Sequence, residues 1–166
     1  MDTEDYERIR QIADRQEAML RFERFSNDDA WELGKFLVQR IHDLGIEMAV
    51  AIRKPNGNIV FQYASGGTNL NNQNWMLRKF NTVMLMESSS LRAWAHGAIL
   101  GEQIQTHGLS DHDYVLCGGG FPIRLRTGEL VAVLTVSNLP HIEDHQFIVD
   151  SLAQWLHVAD VPAVAA

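Results

Sequence analysis

Two stretches of this chain hold most of its candidate chemistry: Cys117-Gly118-Gly119-Gly120-Phe121-Pro122-Ile123-Arg124, and Leu139-Pro140-His141-Ile142-Glu143-Asp144-His145. Successive glycines permit backbone conformations closed to other residues and let another group approach the main chain closely. Gly118, Gly119 and Gly120 could form a nest of N–H groups for an anion. The run lacks the Lys-Ser/Thr ending of a phosphate-binding loop and the spacing of a dinucleotide fingerprint, so nucleotide binding is weakly supported. The competing reading is a bulge or a tight entry into a strand. Arg124, four residues after Gly120, could reach the same region, and Phe121 could wall it with apolar surface.

His141 and His145 stand four apart on an expected helix and share a face, with Asp144 beside them. The acids fall in the wrong order for a zinc-protease motif and no third ligand follows, so no metal site is expected. Glu143 and Asp144 suit the first turn of a helix on dipole grounds alone. Cys117 could act as a thiolate only if its pKa were lowered; a lone cysteine beside a strand is more often a small buried apolar group. Arg78, Lys79 and Asn81 offer two cations and an amide that could hold a carboxylate or phosphate. The alternative is that they face solvent or meet acids across a subunit contact. His107 and His112 fall in a polar loop, while His42, His96 and His157 lie in expected helices without a paired ligand. No catalytic residue can be assigned, because triads are recognised by geometry.

The elements that must position these residues follow from periodicity. Ile9, Ile12, Met19 and Leu20 recur at helical spacing between Asp5 and Phe22, giving a helix with a thin apolar stripe that covers its own core or crosses to a neighbouring subunit. Ser26 with Asp28 and Asp29 opens a second helix carrying Ala30, Leu33, Leu37, Val38, Ile41 and Leu44, and Gly45 closes it. Met48 to Ile52 and Ile59 to Tyr63 alternate on either side of Lys54-Pro55-Asn56-Gly57-Asn58 and predict a β-hairpin. Helical spacing resumes from about Asn71 to Glu87, and Ser88-Ser89-Ser90 caps a shorter helix ending near Gly101. Gln105 to Asp113 reads as a loop. A second hairpin pairs Phe121–Leu125 with Leu130–Val136, and a last helix runs through Ile148, Leu152 and Trp155. The sum is an antiparallel α+β layer structure. Residues 1–24 form an N-terminal helical arm, 25–160 the domain, and 161–166 a loosely held tail.

Composition excludes several functions. The chain has 166 residues, 46% of them hydrophobic, which is enough for one ordinary core. Its formal charge of −7 and pI of about 5.4 oppose binding to nucleic acid or anionic membrane surfaces. No apolar run approaches the ~20 residues of a membrane span and the amino terminus is acidic, so a cytoplasmic protein is expected. One cysteine leaves the fold to packing.

The ordered blocks Phe25-Ser26-Asn27-Asp28-Asp29-Ala30 with Leu33-Gly34, Gly67-Thr68, Trp75 with Arg78-Lys79 and Asn81-Thr82-Val83, Ser88-Ser89, Gly118 to Arg124, and Thr135-Val136-Ser137 through Leu139-Pro140 to Glu143-Asp144-His145 resemble the haem-degrading-domain family. The resemblance runs nearly end to end and is strongest to its uncharacterised cytoplasmic branch, related to glycolate-operon and extracellular haem-binding proteins. It implies a profilin-like fold with a central antiparallel sheet of about five strands flanked by helices, built into a homo-oligomer. It further implies that the protein binds a small anionic ligand, haem among the candidates, at Arg78, Lys79, Asn81, Gly118, Gly119, Gly120, Phe121, Arg124 and His145. Two positions depart from that branch: Cys117 stands where it often has His, and His141 where it often has Gln. The alternative function is a non-enzymatic oligomeric interaction module.

Overall fold

The structure, a computed structural model, describes residues 1–164. Helix α1 (Thr3–Met19) begins at an Asp2–Asp5 capping box, and α2 (Asn27–Leu44) begins at a Ser26–Asp29 box and ends on Gly45 in the left-handed region. Strands β1 (Ala49–Arg53) and β2 (Ile59–Ala64) form the first hairpin. Helices α3 (Leu70–Met86) and α4 (Ser90–Leu100) follow, capped by Asn69 and Ser89. A short 3₁₀ turn at Ile104–His107 lies in the expected loop. Strands β3 (Gly120–Arg124) and β4 (Leu130–Ser137) make the second hairpin, and α5 (His141–Leu156) closes the domain.

The hairpins join edge to edge through β1 and β4, with Ala49 opposite Ser137 and Arg53 opposite Val133, in the order β2-β1-β4-β3. All pairings are antiparallel. The sheet therefore has four strands, correcting the expected five. The fifth place holds a single parallel bridge, where Phe22 N–H donates to Arg124 O at 2.8 Å and Arg126 N–H to Phe22 O at 2.9 Å. Ser26 starts the next helix only four residues later, which leaves no length for a strand.

Alternation along the strands divides the packing between two faces. Val50, Ile52, Phe121, Ile123, Leu134 and Val136 join Leu33, Leu37, Ile41, Ile148 and Leu152 in the main core beneath α2 and α5. Ala49, Ala51 and Val133 turn the other way and meet Met76, Phe80 and Val83 of α3. Helix α1 packs on α4 of its own chain through Ile9, Leu91 and Ala95, where Val164 is also buried. The tail expected to be loose is held over its described part: Gln16 Nε2 donates to Pro162 O at 2.7 Å and Val164 N–H to Gln146 Oε1 at 2.9 Å. Residues 165–166 of that tail lie outside the described residues.

Candidate functional site

A cavity of about 460 Å³ opens between α3, the segment before β3, and the turn joining β4 to α5. This lies within the ~300–1,000 Å³ usual for small-ligand sites. Trp75 and Asn72 line it from α3, Cys117 from the glycine segment, Ser137 from the end of β4, and His141 and Asp144 from α5. Its floor is an ion pair. Lys79 Nζ lies 2.9 Å from Asp144 Oδ2, with only 3% and 2% of the two side chains exposed.

Lys79 also donates to Val136 O at 2.9 Å, so two of the three ammonium hydrogens have protein partners. Asp144 Oδ1 accepts the Leu139 N–H at 3.0 Å. Burial pushes the Asp144 carboxyl up from its ordinary value, while the Lys79 ammonium and the backbone N–H groups of Leu139 and Asn138 pull it back. The pair thus pins α3 to the start of α5 across β4.

The glycines make that pairing possible. Gly119 has φ +114°, and a Cβ there would stand 2.5 Å from Lys79 Nζ. A Cβ on Gly118 would lie 2.3 Å from His141 O, so the chain passes directly against the first turn of α5. Two of the three N–H groups expected to be open to an anion are engaged within the protein: Gly118 donates to His141 Nδ1 at 3.0 Å and Gly120 to Ser90 Oγ at 2.9 Å. All three glycines are buried. They serve close packing, and the hollow lies beside them at Cys117.

The other expected site residues are dispersed. Phe121 is wholly buried in the main core and faces His145, on the sheet face opposite Gly120, so it cannot wall the cavity. Arg124 is bound at the far end of β3, donating to Gly128 O at 2.8 Å and Glu87 O at 2.6 Å. Asn81 ties the following loop by donating to Asp113 O at 2.8 Å. His145 is fully buried, with Nε2 2.7 Å from Gln16 Oε1; because the Gln16 amide nitrogen donates elsewhere, His145 is the donor. Burial drives its pKa down to about 3, so the ring is neutral. Arg78 stacks over Trp75, with Cζ 4.6 Å from the ring centroid, and lines a neighbouring hollow of about 370 Å³ with Trp94 and Glu102. Trp94 in turn meets His141 edge-on at 4.6 Å, so the two hollows share a wall.

Of the expected residues, then, Lys79 lies in the cavity and Arg78 beside it. Asp144, Ser137 and Trp75 complete the site without having been singled out as binding groups. Asp144 carried a signal in its place within the Glu143-Asp144-His145 block, but its helix position explained it equally well. Cys117 lines the cavity as a thiol: burial raises its pKa, with Lys79 pulling the other way and Asp144 adding to the rise. A larger hollow of about 630 Å³ is rimmed by Arg21, Arg24, Arg126 and Trp155. Two of its arginines already face acids, Arg126 on Glu23 at 2.5 Å and Arg24 on Asp29 at 4.0 Å, and it holds no buried polar pair.

Residues 25–153 match the family described as haem degrading protein HbpS-like. The chain belongs to the HbpS-like haem-degrading family. It is 35% identical over 143 residues to the UPF0303 protein YE1367 of Yersinia enterocolitica, covering 83% of this chain and 82% of that one. A UPF0303 protein of Yersinia pseudotuberculosis is 32% identical over 141 residues, covering 82% and 80%. Among solved structures, the Ybr137w protein superposes with a TM-score of 0.79 at 25% identity, covering 92% of this chain and 87% of that one. The PduOC:heme complex superposes at 0.64 with 20% identity, covering 78% and 93%, and supports the fold.

Proposed function

We propose that this member of the family binds a small anionic ligand in the cavity above the Lys79–Asp144 pair. One observation carries the reading: the cavity has donors without partners and an acceptor that is already satisfied. Lys79 keeps one N–H, and the Ser137 hydroxyl, which accepts from Asn72 Nδ2 at 3.2 Å, keeps its own hydrogen to give. Asp144, the one carboxylate in the wall, has its oxygens matched by Lys79, Leu139 and Asn138. The ion pair is neutral overall, so an entering oxyanion meets donors without a net opposing charge. A carboxylate that meets such donors gains charge-assisted bonds in a partly desolvated setting.

Haem is the anionic ligand that the family and the PduOC:heme neighbour bring to this chain. Its carboxylates suit these donors, and Arg78 on the shared wall could receive a second acid group. Titrating the purified protein with haem tests this through quenching of Trp75 and Trp94 fluorescence and a shift of the Soret band. Saturation at micromolar haem is the expected result, and an unchanged spectrum removes haem from the reading. Native mass spectrometry of untreated protein then shows whether another acid is retained.

A second reading, a homo-oligomeric assembly module, is favoured by Leu70, Leu77 and Leu85, which share one flank of α3 and are 82%, 41% and 45% exposed. No helix of the described residues is long and apolar enough to cross a membrane.

A further inference from the structure

His141 stands at the mouth of α5 with one ring nitrogen turned to the protein. Gly118 N–H donates to Nδ1 at 3.0 Å, and an N–H cannot donate to a nitrogen that already carries hydrogen. Nδ1 is therefore bare, and the neutral ring holds its proton on Nε2. Burial and the nearby Lys79 both lower the pKa of the ring, which keeps it neutral. Neither partner can swing away. Gly118 lies against His141 O so closely that a Cβ would reach 2.3 Å, and Trp94 fixes the ring edge-on at 4.6 Å. Among the described residues, Nε2 has no hydrogen-bond partner, while His141 itself lines the cavity.

We infer that His141 is the specificity-determining donor of this cavity, offering Nε2–H to a carboxylate oxygen, and that Gly118, by fixing the tautomer, bars the ring from coordinating haem iron. The inference rests on the ligand reading above and deepens it. Coordination needs a lone pair on the nitrogen facing the ligand, and here that nitrogen carries the hydrogen. The remaining iron-ligating side chain in the wall, Cys117, is half-buried and, with its pKa raised by desolvation, a thiol and not a thiolate. The donor set thus fits the acid groups of haem and does not fit its iron.

Two measurements decide this on the full chain. Long-range ¹H–¹⁵N correlation at pH 7 reads the tautomer of His141 directly, with or without ligand. The expected pattern is a protonated Nε2 and a bare Nδ1; a proton on Nδ1 overturns the inference. Haemin and metal-free protoporphyrin IX carry the same carboxylates and differ in the iron. They are expected to bind within about threefold of each other, with His141→Leu weakening both about tenfold and His141→Gln, which keeps an N–H donor but loses the Gly118 contact, recovering part of that loss for both alike. Haemin binding that far exceeds that of the metal-free porphyrin and collapses in His141→Gln would assign iron coordination to His141 and overturn the inference. Binding of neither porphyrin would refute the porphyrin form of the ligand reading, while the tautomer pattern would still decide the state of His141.

Discussion

Lys79→Met tests the floor of the site. Methionine keeps most of the lysine stem and removes the ammonium, so Asp144, 2% exposed, loses its counter-charge and Val136 O loses a donor. Removing one partner of a buried pair costs about 3–5 kcal/mol, and here the lower end applies because the Leu139 and Asn138 N–H groups still hold the carboxylate. Against a typical total stability of ~5–15 kcal/mol that is a large loss. Asp144→Asn, which strands the ammonium instead, should cost about as much. The double variant Lys79→Met/Asp144→Asn contains no buried charge, and its deficit should be about 1–3 kcal/mol, mainly the unpartnered Val136 carbonyl. The double-mutant cycle should therefore show coupling of about 3–5 kcal/mol, well beyond the additivity of separate sites. Burial already holds the Asp144 carboxyl above its ordinary value in the wild type, and removing Lys79 raises it further, so the deficit of Lys79→Met is small while Asp144 is protonated in both proteins and grows as pH rises through the wild-type pKa. Urea unfolding followed by tryptophan fluorescence at pH 4 and pH 7 measures both. A Lys79→Met cost below about 1 kcal/mol at pH 7, or additive single costs, would refute a buried ion pair.

Two groups elsewhere give opposite pH responses. The Glu17 carboxyl, buried where it accepts Ser89 N–H at 3.0 Å, is pushed up to about 7, so its contribution to stability is present below about pH 4.5 and is lost as pH rises through 7. Glu17→Gln should be about 2–3 kcal/mol more stable than wild type at pH 8 and near equal at pH 4.5, read from urea midpoints. His145, held down to about 3, contributes above its ordinary value of about 6.5 and loses that as pH falls, so His145→Gln should flatten an acid limb of about 3 kcal/mol at pH 4. For the assembly reading, Leu77→Glu should lower the native mass of an oligomer while Arg78→Ala leaves it intact and weakens ligand binding; a mass loss in Arg78→Ala alone would reverse the two assignments.

Local elements were legible because their causes are local. Ser26 and Asp29 close a capping box within four residues, and Lys54-Pro55-Asn56-Gly57-Asn58 turns one hairpin on its own. The site was legible only in part, since Lys79 and Asp144 lie 65 positions apart and a lysine shows its partner only after both helices have packed on the sheet. A glycine run announces close approach without naming what approaches; the approaching groups are Lys79 and His141 of the same chain. Strand alternation places Gly120 and Phe121 on opposite faces, so the two could not have lined one hollow.

The polar floor has a reason that stability alone does not supply. A well-packed apolar pair in place of Lys79 and Asp144 would hold α3 against α5 about as firmly, since desolvation offsets most of what a buried ion pair gains. Such a pair would satisfy neither the Val136 carbonyl nor the Leu139 N–H, and it would offer the cavity no donor. The ion pair does both while cancelling its own charge. By gripping Leu139 through Asp144, it also sets where α5 begins, and so where His141 meets Gly118. The state of the His141 ring is in this way tied to a lysine on another helix: loosening Lys79 should free the ring to titrate before it unfolds the domain.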